Sequence, residues 1–347
     1  MTARLFVLLA AGMLLTGCNP FGSAGPMMDE YVERVARVLE LDPEFSDIPP
    51  ASSLPRRRDR QLPMPELDMG MLDFLSLYGC ELQYVVGEKN SVMGKVMQPL
   101  NQLRYELRFI EAGERCLPEV SRDSVRESLE EAIASKKDTL PVVIWNATWG
   151  LEEVESLFTL AKGDYPVAPE GNPVSDLAID ADRLNELVAK LLDGDLSPSL
   201  DSVGSVHQRW QAEHRAGQLV NSARLLIARL NDASKLLERR IKGQPLCLNG
   251  KPNNQSEIVQ SMFFSVYIEK VQPYMSEVSQ ARDQLIEPLG RLAAMQHSTM
   301  PAEFREWYRY HLTDGDHSLW GQLDQAMAEH TRLWQTLLEQ CGLRPQA

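Results

Sequence analysis

A heptad-like run of apolar residues in the second half of the chain constrains the fold more than any other feature. Its members recur at intervals of three and four, with polar Ser234 filling one slot: Ala216, Val220, Ala223, Ile227, Leu230, Leu237 and Ile241. This spacing lines the side chains along one helix face, so it predicts a long helix within about residues 202–242. Such a helix needs partner helices to cover its apolar face.

Two more long helices are predicted after this one. Ser256 caps the first, which has apolar residues at helical spacing as far as Leu292 and contains Pro273 and Pro288, where kinks are expected. The second spans residues 318–341. Three long helices in succession predict an up-down-up arrangement, in which the first and the third are parallel.

The chain from residue 68 to residue 160 also has mainly helical periodicity. Helical segments are predicted over residues 71–86 with an interruption at Gly79, over residues 92–111, and from Ser121 onward. The stretch 140–149 suits a strand by its β-branched and aromatic content, but a buried helix entered through Pro141 is equally allowed. We interpret it as a helix because its surroundings are helical. The sequence therefore predicts an all-α fold, an elongated helical bundle with long antiparallel C-terminal helices.

Besides Cys18 the chain has four cysteines, namely Cys80, Cys116, Cys247 and Cys341. An even number indicates two disulfides in an oxidising compartment, with three possible pairings. Free thiols or a metal site are the alternatives, although no two cysteines have the close spacing typical of zinc ligands. We favour Cys80–Cys116 and Cys247–Cys341, because a parallel first and third helix bring Cys247 and Cys341 to the same end of the bundle.

The N-terminus has the three parts of an export signal: Arg4, the apolar stretch Leu5–Leu15 and a small-residue segment that ends at Cys18. The apolar stretch rises only about 16 Å as a helix, roughly half of a bilayer's hydrocarbon thickness. The run Leu15–Cys18 resembles the lipobox of bacterial lipoproteins, which implies removal of residues 1–17 and attachment of lipid, including acyl chains such as palmitate, to Cys18. An ordinary signal peptide is the alternative. Asn19, rather than Asp, favours the outer membrane by analogy with Gram-negative sorting.

Residues 18–67 are predicted to form a lipid-anchored tether that lies against the body at least in part. Residues 19–67 contain eight of the 21 prolines and one helical piece, over residues 29–40. The helical domain would then span residues 68–347. A Gly- and Pro-rich loop at 163–176 marks a possible boundary between subdomains 68–165 and 176–347.

The only dense basic run contains Arg56, Arg57, Arg58 and Arg60. One hypothesis is contact with lipid phosphates, lipopolysaccharide or an acidic partner. The other, which we favour, is pairing with the protein's own carboxylates. The whole chain is acidic, with 35 Lys and Arg against 49 Asp and Glu and a formal net charge of −14, which argues against nucleic-acid binding.

Other groupings of polar side chains are open to two interpretations. Four polar residues lie close together in the sequence: His311, Asp314, Asp316 and His317. They could form a metal site, or they could belong to a turn followed by a helix N-cap. We favour the turn and N-cap. His207 and His214 flank Trp210 on one predicted helix face, which indicates either a ligand cleft or, as we favour, a half-buried flank. No nucleophile has an identifiable histidine partner, so the sequence predicts no catalytic residue, no metal, no cofactor and no enzymatic activity.

Four segments together resemble an uncharacterised domain-of-unknown-function family of Gram-negative bacterial lipoproteins. They are Pro55–Arg58, Gly79–Gln83, Gly87–Met97 and Trp145–Thr148. The resemblance covers nearly all of the chain after Cys18 and implies one folded unit rather than two unrelated domains. It implies no activity, ligand or catalytic residue.

These features predict a lipid-anchored, periplasm-facing envelope protein, in the outer membrane rather than the inner one, that contacts the membrane through its anchor. The first hypothesis for its role is a scaffold, adaptor or assembly factor that binds another envelope protein. The second is a carrier or sensor of a small molecule or lipid bound between helices. An envelope hydrolase is the third.

Overall fold

The computed structural model of the protein describes residues 22–64, 79–90 and 97–343. All regular elements in these ranges are helical, which confirms the predicted all-α class. In chain order the α-helices are α1 (Ala24–Leu39), α2 (Arg57–Arg60), α3 (Glu81–Asn90), α4 (Pro99–Cys116), α5 (Asp123–Thr148), α6 (Glu153–Leu157), α7 (Ser175–Leu192), α8 (Val203–Ala212), α9 (Arg215–Lys242), α10 (Asn254–Met262), α11 (Gln272–Ala281), α12 (Glu287–Met295), α13 (Ala302–His311) and α14 (Leu319–Glu339). No helix in the described ranges has the length and apolar character that a membrane span requires.

Helix α1 lies in the main hydrophobic core. Its apolar positions recur at helical spacing, and the following side chains are fully buried: Met27, Met28, Tyr31, Val32, Val35, Ala36 and Leu39. They pack with α9 and with the helices that follow it. The helical body therefore begins at Ala24 rather than at residue 68, which corrects the extent of the predicted tether. A stripe this apolar is stabilised far more by burial than by lying loosely on a surface.

The three long C-terminal helical segments have the predicted up-down-up arrangement. Ser234 of α9 bonds to His330 of α14, and Cys247 is joined to Cys341 with Cα atoms 5.2 Å apart, so α9 and α14 run parallel. Ser222, near the start of α9, accepts a hydrogen bond from Tyr274 at 2.7 Å, so the segment between them returns antiparallel. The pairing predicted from this arrangement is confirmed, and Ser234 is polar because it meets a histidine.

The middle segment contains π-helical turns next to its two prolines. Phe263–Val271 and Arg282–Ile286 are π-helical, and Pro273 and Pro288 lie in the first turns of α11 and α12 that follow them. A proline has no N–H to donate to the preceding turn, and a widened turn accommodates it. The irregularities thus occur where the sequence predicts kinks.

The predicted helix within residues 202–242 is wrong in its N-terminal part, since it is interrupted between α8 and α9. Glu213 is extended and ends α8, and His214 precedes α9. Gly217, in the first turn of α9, packs so closely on the backbone of Thr159 that a Cβ atom at 217 would overlap the Thr159 carbonyl. The seam residues from Ala216 onward lie on α9 as predicted.

A smaller hydrophobic cluster joins α3, α4 and the first half of α5. Cys80 and Cys116 are disulfide-bonded there, with Cα atoms 5.8 Å apart, which confirms the second predicted pairing. Helix α4 begins at Pro99, not at residue 92, because a proline without an N–H suits the first turn and Gln98 before it is extended. The predicted helical residues 71–78 and 92–96 lie outside the described ranges.

Helix α5 is continuous through Pro141 and connects the smaller cluster to the main core. The stretch 140–149 is therefore helical, as predicted, but it does not start a new helix. Val143, Ile144 and Trp145 are buried in the main core, and this burial offsets the roughly 3 kcal/mol that an internal proline costs. The apolar clusters divide within α4 and α5, not at the predicted boundary at residues 163–176.

Residues 41–56, which we call the arm, follow α1 without regular structure and lie along α9. The backbone N–H and hydroxyl of Ser46 donate to Asp232 at 3.0 and 2.7 Å. Arg224 donates to the carbonyl of Pro49 at 2.7 Å. These contacts carry the arm from the end of α1 to the start of α2, where the arginine run begins.

Candidate ligand-binding cleft

Arg60 is the structural member of the arginine run. Its side chain is fully buried, and its guanidinium donates to the carbonyls of Trp149 and Leu151, the latter at 3.0 Å. It also pairs with Glu155 at 2.9 Å. Burial lowers the pKa of Arg60, and the hydrogen bond and charge of Glu155 oppose that change. Its Nε also donates to the carbonyl of Pro55 at 2.8 Å, so four acceptors around one planar guanidinium fix the end of α2 against α5 and α6.

Two of the segments that carry the family resemblance meet at this point. The indole N–H of Trp145 donates to the carbonyl of Arg60 at 2.7 Å. Asn146 bonds to the backbone of Leu62 in both directions, each at 2.8 Å. The motif around Trp145 therefore holds the residues that follow the basic run.

Of the other three arginines, Arg56 and Arg58 are exposed, whereas Arg57 is half-buried and its Nε is buried without a hydrogen-bond partner among the described residues. Arg57 is near Glu152 at 3.8 Å, and Arg58 is near Asp59 at 3.5 Å, so both have carboxylate neighbours within the chain. Arg56 is exposed, and its guanidinium has no ion pair or hydrogen bond among the described residues. Pairing with the protein's own carboxylates therefore accounts for Arg57, Arg58 and Arg60 but leaves the charge of Arg56 unpaired.

Arg56, Arg57 and Arg58 border a cleft of about 680 Å³, which we call the arginine cleft. It lies between the arm, the residues around the end of α6, α9 and α13. Its lining consists of Ser52, Ser53, Leu54, Arg56, Arg57, Arg58, Glu155, Phe158, Thr159, Leu160, Ala161, Val220, Trp307 and His311. Cationic side chains come from one side and mainly apolar side chains from the others.

The apolar side of the arginine cleft is a stack of rings. Phe158 meets Trp307 edge to face with centroids 4.9 Å apart, and Trp307 stacks on His311 at 4.8 Å. The close approach of Gly217 to Thr159 sets the position of the loop after α6. The rings are therefore held by two backbone elements, α13 and this loop.

His311 is the one titratable group of the arginine cleft with a large pKa shift. Its side chain is only 1% exposed, and Nδ1 lies 3.1 Å from the carbonyl oxygen of Trp307. The other ring nitrogen, Nε2, is buried and has no hydrogen-bond partner among the described residues. Burial, with a smaller contribution from the positive charge of Arg224, lowers the pKa of His311 to about 4, so the ring is neutral near pH 7.

The structure separates His311 from the residues with which the sequence grouped it. Asp314, Asp316 and His317 are exposed in the turn before α14, and Ser318 caps that helix by accepting from the N–H of Gly321. Among the described residues, no three His, Cys, Asp or Glu side chains are placed to hold a metal ion. The turn and cap are therefore present as predicted, while His311 belongs to the cleft.

The other pair of histidines does not line the arginine cleft. His207 is buried in α8, and burial lowers its pKa. His214 lies beyond the end of α8, where Nδ1 is 2.9 Å from the carbonyl oxygen of Ser156. The predicted shared helix face is absent because α8 ends before His214.

His330 lies in a separate, closed network in the core. Its Nε2 is 2.6 Å from the hydroxyl of Tyr31 and its Nδ1 is 2.8 Å from the hydroxyl of Ser234. The indole N–H of Trp334 donates to Tyr31 at 2.8 Å. Complete burial lowers the pKa of His330 to about 3. All of these groups are satisfied, so this network joins α1, α9 and α14 and presents nothing to a ligand.

Sequence reasoning identified the arginines but not the site that they border. The rings of Phe158, Trp307 and His311 come from segments about 150 residues apart, and no short motif links them. Cys18, the predicted lipid attachment site, lies outside the described ranges. What the cleft offers chemically is positive charge, an apolar surface and two buried nitrogens without a partner among the described residues, Nε2 of His311 and Nε of Arg57.

The comparisons with known proteins give a family but no activity. Residues 28–345 match the model of a family described as "Protein of unknown function (DUF3080)", and the chain therefore belongs to this family. Comparison with functionally characterised proteins and with solved structures gave no match. The match includes all residues of the arginine cleft and confirms the resemblance to an uncharacterised family.

Proposed function

We propose that this protein is a lipid-anchored, periplasm-facing envelope protein that binds a small amphiphilic ligand in the arginine cleft. A scaffold, adaptor or assembly factor was the first expectation from the sequence. The cleft gives specific support to the second expectation, a carrier or sensor, because it combines an apolar wall with a cationic rim. Sites for small molecules are typically concave and mostly apolar, with a few polar groups that orient the ligand.

The observation that carries this proposal is the unpartnered Nε2 of His311. A buried polar atom without a partner costs roughly 1–3 kcal/mol, and native proteins keep few of them. Here the atom belongs to a residue that lines the arginine cleft, and a second lining residue, Arg57, also has a buried nitrogen without a partner among the described residues. An unpaired buried nitrogen at a concave surface is explained if a bound ligand supplies the missing hydrogen bond.

Two features support placement at the envelope. The two disulfides indicate a compartment outside the reducing cytoplasm. The segment that ends at Cys18 resembles a lipobox, and Ala24, the first residue of α1, follows only six residues later. Six residues reach about 20 Å at full extension. An anchor on Cys18 would thus keep the start of α1 close to the bilayer, in our proposal the outer membrane.

The chemistry around His311 supports binding rather than hydrolysis. A histidine that activates a nucleophile needs a hydroxyl or thiol within hydrogen-bond distance. The Nε2 atom has none among the described residues, and Glu155, the carboxylate of the cleft, accepts from Arg60 and from the backbone N–H of Arg57. We therefore propose no enzymatic activity for the site.

Native mass spectrometry of the full chain, extracted from membranes in mild detergent, tests whether the arginine cleft holds a ligand. We expect an adduct on the wild-type protein that is lost in Ala161→Trp, because Ala161 is exposed at the cleft and an indole there would fill it. Ala134→Trp, at an exposed position of α5 outside the cleft, is the matched control and should retain the adduct. An adduct that survives Ala161→Trp would contradict binding in this cleft.

The anchor has its own test. Replacing Cys18 with serine should release the protein from sedimented membranes into the soluble envelope fraction, because a chain without acyl groups has no stable anchor. Separation of inner and outer membranes then locates the wild-type protein. Continued sedimentation of the Cys18→Ser protein with membranes would argue against lipid anchoring.

A further inference from the structure

We propose that the arginine cleft selects an anionic amphiphile that carries a hydroxyl group, and that this hydroxyl donates a hydrogen bond to Nε2 of His311. The inference rests on the proposed function, because it names the ligand class of the same cleft. It predicts selectivity between ligands that differ in a single hydrogen-bond donor, which simple apolar binding does not.

The tautomer of His311 determines which kind of polar group fits. A backbone carbonyl can only accept, so Nδ1, which lies 3.1 Å from the carbonyl oxygen of Trp307, must carry the hydrogen. A neutral imidazole has one N–H, and Nε2 therefore presents a lone pair. The neutral form is maintained by burial and by the nearby charge of Arg224. The cleft thus offers an acceptor, and the ligand has to bring a donor.

The charges of the rim determine the sign of the ligand. Three arginines line the arginine cleft against one carboxylate, that of Glu155. This carboxylate already accepts from the buried Arg60, whereas Arg56 has no partner among the described residues. The uncompensated charge is positive, and a carboxylate or phosphate is the group that a guanidinium binds best. An anionic head group is therefore favoured over a neutral or cationic one.

The remaining lining determines the body of the ligand. Leu54, Phe158 and Leu160 supply apolar surface from both sides of the cleft, and Trp307 adds the face of a large ring. The volume of about 680 Å³ lies within the range of roughly 300–1,000 Å³ typical of small-molecule sites. A single aliphatic chain suits this space. Hydroxylated fatty acids meet all three requirements, and a lysophospholipid with a free glycerol hydroxyl shares their chemistry.

Binding of a matched set of fatty acids to the full chain tests the inference. Cys18→Ser removes the need for detergent and leaves every described residue unchanged. The probes are tetradecanoate and its derivatives hydroxylated at carbon 3, 7 or 11, measured by calorimetry below their critical micelle concentrations. We expect one hydroxylated isomer to bind about tenfold more tightly than tetradecanoate, because an orphan acceptor gains a bond worth about 1.4 kcal/mol. Its O-methyl ether, which cannot donate, should lose that advantage.

Two variants assign the selectivity to the residues. His311→Phe keeps the ring and removes the acceptor, so the preferred isomer and tetradecanoate should bind equally. Arg56→Ala should weaken both by a similar factor and leave their ratio unchanged, since it removes only charge. If His311→Phe does not fold, binding of the O-methyl ether to the protein with His311 intact still tests the hydrogen bond.

Three results would overturn the inference. Equal affinity for all isomers and tetradecanoate, with binding abolished by Ala161→Trp, would refute the hydroxyl contact while leaving a ligand in the cleft. A methyl ether as tight as the alcohol would refute donation to Nε2. If no probe binds, fatty acids are excluded as the ligand class. An adduct that is still present in native mass spectrometry would then show that the cleft binds another ligand.

Discussion

The free energy of unfolding should fall steeply as the pH is lowered from 7.5 to 5.0, because two buried imidazoles resist protonation. The pKa of His330 is lowered to about 3 and that of His311 to about 4, both chiefly by burial. In the unfolded chain both should titrate near 6.5. Below that pH the unfolded state binds protons that the folded state does not, so stability is lost as the pH falls towards 4.

The magnitude follows from these values. At pH 5.0 an unfolded histidine is almost fully protonated, while both folded rings remain mostly neutral, and each contributes about 2 kcal/mol of destabilisation. The two together should lower the free energy of unfolding by about 4 kcal/mol relative to pH 7.5. The surroundings of His330 are Tyr31, Ser234, Tyr267 and Trp334, none of which is a carboxylate that could stabilise the protonated ring.

Urea unfolding followed by tryptophan fluorescence at the two pH values provides the measurement. His330→Phe will destabilise the protein at both pH values, but the difference in the free energy of unfolding between them should shrink by about 2 kcal/mol, since the proton taken up by His330 on unfolding is gone. His317→Asn, at an exposed position, is the control and should leave the difference unchanged. If His330→Phe retains the full pH difference, the assignment of acid sensitivity to this buried ring is refuted.

Three other substitutions test contacts described above. Arg60→Lys should destabilise the protein by about 3 kcal/mol, because a lysine cannot satisfy the surrounding carbonyls with one ammonium group, whereas Arg58→Lys should change the melting temperature little. A thermal scan in which both variants behave alike would contradict the structural role of the buried guanidinium. Replacing Cys247 and Cys341 with serine should cost about 4–5 kcal/mol by the chain-entropy relation for their sequence separation of 94, measured by urea unfolding; a loss below 1 kcal/mol would argue against a bond in the folded protein. Gly217→Ala should cost roughly 1–3 kcal/mol by overpacking and weaken probe binding to the arginine cleft, and unchanged stability and affinity would show that the close approach is not required.

The parts of the fold that the sequence predicts correctly depend on local periodicity. The seam from Ala216 to Ile241 specifies one face of α9, and that face is buried or partly buried in the core. The pairing of Cys247 with Cys341 follows because helix ends are fixed once the order of the helices is known. Helical capping by Ser318 is equally local.

The parts that sequence reasoning misses depend on distant partners. Nothing in residues 24–39 reveals that their apolar face is covered by α9 and the helices after it. The high proline content of residues 19–67 therefore led to the prediction of a tether. Pro141 suggested a helix start, but burial of Trp145 keeps α5 continuous through it. His311 lines a cleft only because the fold places the arm next to α13, and the sequence around His311 does not indicate this contact. Each of these outcomes is decided by packing between segments far apart in the chain.

The central position of α1 has a consequence for the order in which the molecule folds. Helix α1 packs mainly on α9, almost 200 residues later in the chain, and the hydrogen bond between Tyr31 and His330 spans 299 positions, so α1 has to wait for distant partners. Until α9 and α10 have been synthesised, the apolar stripe of α1 lacks its main native cover and is open to aggregation. Native packing of α1 should therefore be a late event that follows synthesis of the second half of the chain, and loss of α9 should leave α1 exposed to proteases.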